Sequence, residues 1–209
     1  MKVLLLNGSP RERGCTYTAL SEVASALEGE GVRAEIIHVG KGPVRDCAAC
    51  GACVRLDNRC VFEDDMVNTV LEKAGEADGF VFGSPVYYAH PSGAVLSFLD
   101  RLFYAADKSV FAHKPGAAVV SARRAGTTAS FDVLNKYFTI SQMPVVSSQY
   151  WCMVHGNTPE DVRQDLEGLQ IMRTLGRNMA WMLKCIEAGR RIGLLPPPPE
   201  PPQRTNFIR

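Results

Sequence analysis

The chain has 209 residues, 46% apolar and 22% charged, enough for one well-buried soluble domain and short for two. Its 23 basic and 22 acidic side chains leave a formal net charge of +1, which gives no electrostatic footprint for nucleic acid or an anionic membrane surface. Met1 leads straight into an apolar run with no basic leader, and no stretch reaches the roughly 18 apolar residues of a membrane span. The expectation is a cytoplasmic protein whose seven cysteines are reduced and open to metal or redox chemistry.

In chain order, short aliphatic runs bounded by turn residues occur at Val3–Asn7, Ala34–Val39, Gly79–Gly83, Gly116–Ser121 and Pro144–Tyr150, and read as buried strands. Helical spacing fills the gaps at Thr16–Glu30, Asp64–Glu76, Ser92–Ala106 and Thr128–Phe138. Such alternation predicts right-handed βαβ crossovers and a doubly wound, five-stranded parallel sheet, an α/β/α sandwich of flavodoxin-like type. A last helix is expected from Thr158-Pro159-Glu160-Asp161, where a capping hydroxyl, a first-turn proline and two carboxylates coincide. The stripe Leu169, Met172, Leu175, Met179, Leu183 and Ile186 packs that helix on the sheet. Residues 1–193 form the expected domain. Residues 194–209, with Pro196–Pro199, Pro201 and Pro202, form an extended arm whose Phe207 and Ile208 could bury against a partner subunit.

The densest chemical signal is Cys47, Cys50, Cys53 and Cys60, spaced C-x2-C-x2-C-x6-C, with Ala48, Ala49, Gly51 and Ala52 letting the backbone curl. Four converging thiolates on one loop suit a [4Fe–4S] cluster. Zinc on the same thiolates, a disulfide pair and unliganded cysteines remain alternatives. After the first strand, Gly8-Ser9-Pro10-Arg11 runs through Gly14, Cys15, Thr16 and Thr18 into a helix, a glycine- and hydroxyl-rich turn built for a mononucleotide phosphate. It fits neither a Walker loop nor a dinucleotide fingerprint. The third strand ends in a similar Gly83-Ser84-Pro85, followed by Val86, Tyr87 and Tyr88, where a flat ring could lie. In strand order 2-1-3-4-5 these two loops flank the topological switch point. A third loop after the fourth strand, Ser121 to Thr127, adds Arg123, Arg124 and Gly126 to the same edge.

Together with Leu99-Asp100-Arg101, these motifs resemble the NADPH-dependent FMN reductase group of flavodoxin-like proteins, and within it the iron–sulfur flavoprotein branch. The resemblance implies FMN, with its phosphate at Ser9, Arg11, Thr16 and Thr18 and its isoalloxazine near Pro85, Val86, Tyr87 and Tyr88. Cys15 departs from the family's usual asparagine and reads as a neutral thiol in the phosphate loop. The expected function is an FMN-dependent oxidoreductase passing electrons between FMN and a [4Fe–4S] cluster, in a homodimer or tetramer. NAD(P)H, quinone, flavin or ferredoxin are the expected partners. An NAD(P)H-dependent flavin or quinone reductase without a cluster, and a non-enzymatic FMN-binding or zinc-knuckle module, are the competing readings.

Overall fold

The computed structural model describes residues 1–207; Ile208 and Arg209, the tail's last expected contacts, lie outside the described residues. Strands β1 (Lys2–Asn7), β2 (Arg33–His38), β3 (Gly79–Tyr87), β5 (Gly116–Ala122) and β6 (Met153–His155) form a parallel sheet in the order β2-β1-β3-β5-β6. Helices α1 (Cys15–Gly29), α2 (Val67–Gly75), α3 (Gly93–Ala105), α4 (Thr127–Ile140), α5 (Pro159–Gln164) and α6 (Leu166–Arg191) cover its two faces.

Period-two alternation splits each central strand between two cores. Val3, Leu5, Val81, Ala117 and Val119 pack under α1 and α6, whereas Leu4, Leu6, Phe80, Phe82, Ala118 and Val120 pack under α2, α3 and α4. Both faces are covered, which is why the strand sequences read as unbroken apolar runs. Helix α1 ends in a Schellman motif: Gly31 takes φ +78°, and the Val32 and Gly31 N–H groups reach the Leu27 and Glu28 carbonyls at 3.0 and 2.9 Å. The same motif closes α6 at Gly193, φ +83°. Residues beyond Gly193 through Asn206 take no regular structure. No described helix is long and apolar enough to cross a membrane.

The fold differs from the sequence expectation in three places. Pro144–Tyr150 is not a strand: only Val145 bridges Gly116, and the chain rejoins the ladder at Met153–His155. Helix α6 draws the intervening segment away, because Ser148 Oγ donates to Ile171 O at 2.8 Å and Asn178 Nδ2 to Ser147 O at 2.8 Å. The single C-terminal helix is two. The Thr158–Asp161 capping box starts α5, but Asp165 breaks the run and caps α6 by accepting from Gly168 N, while its other oxygen accepts from His155 N. Finally, β3 continues to Tyr87 and returns as the short β4 (His90–Pro91).

Gly176 of α6 sits so close to α1 that an added Cβ would lie 2.7 Å from Ala26 Cβ and from Val23 O, whereas Gly75 has nothing within 4 Å. Gly176→Ala is expected to cost about 1–3 kcal/mol by overpacking, while Gly75→Ala should be neutral or stabilising by up to about 1 kcal/mol. Urea unfolding midpoints of the two variants check this opposite sign.

Candidate functional site

Because β1, β3 and β5 are neighbours, the loops at their carboxyl ends open side by side. The strand order reverses direction between β1 and β3, the position where ligands bind in doubly wound sheets. Gly8 N donates to Gly83 O at 2.9 Å, so the Gly-Ser-Pro loop after β1 is joined to the Gly-Ser-Pro segment of β3 at their glycines. Ser92, at the N-cap of α3, donates its hydroxyl to Gly8 O at 2.8 Å, and its N–H donates to Ser84 Oγ at 2.9 Å. Asn7, fully buried, accepts from Ser9 N at 3.1 Å and donates to Glu12 O at 2.9 Å. His38 at the end of β2 lies 2.7 Å from Ser9 O; the carbonyl accepts, so Nε2 carries the hydrogen and the buried Nδ1 is left without a protein partner.

The amides that open α1 have no side-chain cap, since Gly14 stands at the N-cap. That leaves free N–H groups and the positive end of the helix facing the crevice, which suits a phosphate. The hydroxyls expected to assist are already engaged. Thr16 Oγ1 pairs with Ser121 Oγ at 2.8 Å, both residues buried, and Thr18 Oγ1 donates to Gly14 O at 3.2 Å. Backbone amides, with buried Ser9 and exposed Arg11, are the donors this loop leaves for an anion. The Cys15 thiol donates to Gly156 O at 3.6 Å beyond β6, and burial pushes its pKa above the ordinary value, so it is a neutral thiol.

Above this loop, the β3–β4 hairpin turns through Tyr88 and Ala89, whose φ angles of +52° and +57° are left-handed for both non-glycine residues. Such backbone costs of order 1 kcal/mol per residue and collects at ligand clamps. Tyr88 is fully exposed and Tyr87 half-exposed, while Pro85 and Val86 are partly buried at the hairpin's base. Gly126, φ +97°, packs against this hairpin so tightly that a Cβ would lie 2.7 Å from Ala89 Cα. Arg123 and Arg124 are exposed, with no ion pair among the described residues.

The cysteine loop leaves β2 and lies against α3. Cys47, Cys50, Cys53 and Cys60 all line one pocket, closed by Phe62, Arg101, Tyr104 and Ala105. Ala49 and Gly51 take φ +50° and +67°, and a 3-10 turn covers Ala52–Arg55, the tight curl expected of the small residues between the thiols. Cys53 Sγ donates to Tyr104 O at 3.8 Å. Buried Cys60 is gripped by Asn68, which accepts from Cys60 N at 2.8 Å and donates to Cys60 O at 3.0 Å. Among the described residues, no three His, Cys, Asp or Glu side chains converge closely enough to hold a single ion. Sequence reading passed over His38, Asn68, Ser84 and Ser92; only Ser84 carried a signal, in the repeated Gly-Ser-Pro.

The fold and the crevice are flavodoxin-like, and the family the chain matches makes it a flavin-dependent oxidoreductase. The chain belongs to the NADPH-dependent FMN reductase family, which it matches over residues 1–158, and FMN is the flavin this family supports. It is 31% identical over 194 residues to an iron-sulfur flavoprotein of Methanocaldococcus jannaschii, covering 90% of this chain and all of that one. Among solved structures, RosB holding 8-demethyl-8-formylriboflavin-5'-phosphate superposes with a TM-score of 0.66 at 17% identity, over 100% of this chain and 92% of that one. A flavodoxin from the domain Archaea gives 0.58 at 16% identity, over 88% and 99%.

A Cβ on Gly40 would fall 2.3 Å from Ser9 O, whereas Gly42 has nothing within 4 Å. Gly40→Ala is expected to weaken FMN binding tenfold or more by displacing Ser9, and Gly42→Ala to leave it unchanged, as read by flavin fluorescence titration. Burial also raises the Cys152 thiol to about 12. The thiolate is the reactive form, so iodoacetamide at pH 8 should label exposed Cys185 well before Cys15 or Cys152, checked by mass spectrometry of the folded protein.

Proposed function

We propose that this chain is an iron–sulfur flavoprotein that passes electrons between FMN in the β1–β3 crevice and a [4Fe–4S] cluster on Cys47, Cys50, Cys53 and Cys60. The observation that carries this reading is the gathering of all four thiols around one pocket. Their spread around its wall suits a core of several irons better than one ion, whose thiolate bonds are about 2.3 Å long. The curled backbone at Ala49 and Gly51 supports the same reading. FMN supplies two-electron chemistry and can release electrons singly, while a cluster takes them one at a time.

The chain's own residues bind, orient and shield. The uncapped α1 amides and Arg11 hold the phosphate; His38, Asn7 and Ser92 keep that loop in place from three sides. The rigid hairpin through Pro85, Val86, Tyr87 and Tyr88 offers its edge and rings to a flat heterocycle, with Gly126 closing in behind it. Ser121 acts through Thr16, fixing the first turn of α1. The exposed hairpin leaves one face of the crevice open to a donor or acceptor: NAD(P)H, a quinone, a free flavin or a ferredoxin. Exposed Tyr87, Tyr88 and Tyr104 favour shielding of these sites in a homodimer or tetramer.

A second reading, an NAD(P)H-dependent flavin or quinone reductase with no cluster, is favoured by exposed Arg123 and Arg124 beside the crevice, which suit an anionic dinucleotide. Anaerobic purification with assay of iron, sulfide, zinc and flavin separates the two. About four iron and four sulfide per chain, with a broad shoulder near ~400 nm over the flavin bands, is the expected result. Flavin alone, with NAD(P)H oxidation retained, would select the second reading, and zinc in place of iron would exclude a cluster. Cys50→Ser should lose the cluster and keep the flavin.

A further inference from the structure

Arg101 is the largest fully buried side chain among the described residues, 1% exposed, and it reaches the cysteine pocket from the second half of α3. Its guanidinium is used on nearly every side. Nη1 pairs with the Asp65 carboxylate, itself only 9% exposed, and donates to Arg45 O at 3.2 Å; Nη2 donates to Phe62 O at 3.3 Å. The remaining direction, Nε–H, points at Cys60 Sγ at 3.3 Å. The Phe62 ring lies 5.3 Å from the guanidinium carbon and screens it from water.

A buried ion pair adds little net stability compared with an apolar pair of the same volume. The informative feature is therefore where this one is aimed. Asp65 already neutralises Arg101, and the carbonyls of Arg45 and Phe62 satisfy two further N–H groups. The Nε–H meets sulfur, a poor acceptor as a neutral thiol and a good one as a thiolate. Of the four thiols, Cys60 alone is buried, and it is held from two helices: by Asn68 of α2 through its backbone and by Arg101 of α3 through its sulfur.

We propose that Arg101 is the positioning residue of the cysteine pocket, fixing the Cys60 sulfur as a ligand and, through the charged N–H directed at it, favouring the reduced form of the cluster. The inference rests on the iron–sulfur reading above. A hydrogen bond to a ligand sulfur withdraws electron density from the metal and stabilises the more negative, one-electron-reduced state. No bond is made or broken in that step; one electron enters from an external reductant, and the charge stays beside the guanidinium. Lysine would keep a cation for Asp65 but lacks the directed Nε–H of the planar fork.

The test is an anaerobic redox titration of the full-length protein with dithionite, followed by electron paramagnetic resonance and absorbance, for wild type, Arg101→Lys and Arg101→Gln. Iron, sulfide and FMN are counted in each. The expected result is retention of cluster and FMN in Arg101→Lys. At the wild-type midpoint potential, its reduced-to-oxidised cluster ratio should fall from one to about one tenth, a shift of about 59 mV for a one-electron couple. Arg101→Gln, which also strips Asp65 of its partner, should shift further or lose iron. A cluster-bearing Arg101→Lys with an unmoved midpoint would overturn the inference and leave the cluster reading standing. Loss of cluster and FMN together from Arg101→Lys, with the cation kept, would also overturn it, by assigning Arg101 to packing of the domain as a whole. Wild-type protein without iron and sulfide would overturn both.

Discussion

The structure turns on the contact between the residue that follows β1 and the middle of β3. Gly8 N meets Gly83 O at 2.9 Å, and neither position has room for a side chain. A Cβ on Gly8 would lie 2.5 Å from a methyl of Val95 in α3, and one on Gly83 would lie 2.7 Å from Leu20 in α1. Helices from both faces thus press onto the same junction. Only backbone fits there, so the loop after β1 leaves against the flank of β3, and the β3–β4 hairpin opens four residues further on beside it. The amide-lined start of α1 and the hairpin with its tyrosines are consequences of that closeness.

Helix α3 carries the constraint across the molecule. At its N-cap, Ser92 bonds Gly8 O and so holds the loop between β1 and α1; near its other end, Arg101 reaches Cys60 and Tyr104 lines the cysteine pocket. Ser92 and Arg101 are nine positions apart, about 13 Å along a helix. One rigid element thereby sets the spacing between the β1–β3 crevice and the cysteine loop. On the opposite side, β2 does similar work, with His38 bracing Ser9 immediately before the chain departs toward Cys47. The irregular cysteine loop is long, yet its attachment points are fixed by regular structure.

Much of this was legible from the chain itself. The central strands, α1 to α4 and the strand order followed from aliphatic runs and 3.6-residue periodicity. Boundaries moved where side chains had other work: Asp65, read as part of α2, instead caps Val67 N and pairs with Arg101, so the helix begins at Val67. The edge strand was misplaced for a comparable reason. Pro144–Tyr150 has strand composition, but Ser148 and Ser147 bond to Ile171 and Asn178 of α6, 23 and 31 positions downstream, and no local pattern reports such a partner.

The site divides along the same line. Cysteine spacing, the repeated Gly-Ser-Pro and the glycine before α1 are local signatures, because metal ligation and anion binding at a helix start need particular residues at short fixed separations; the sequence by itself therefore marked both candidate sites. What only the tertiary structure decided is which side chains support them. Thr16 faces Ser121, Cys15 faces Gly156, His38 faces Ser9, and Arg101 faces Cys60, pairs separated by 105, 141, 29 and 41 positions. Those partnerships arise when helices dock on the sheet, and a hydrogen bond between distant residues leaves no periodicity in the chain for a reader to find.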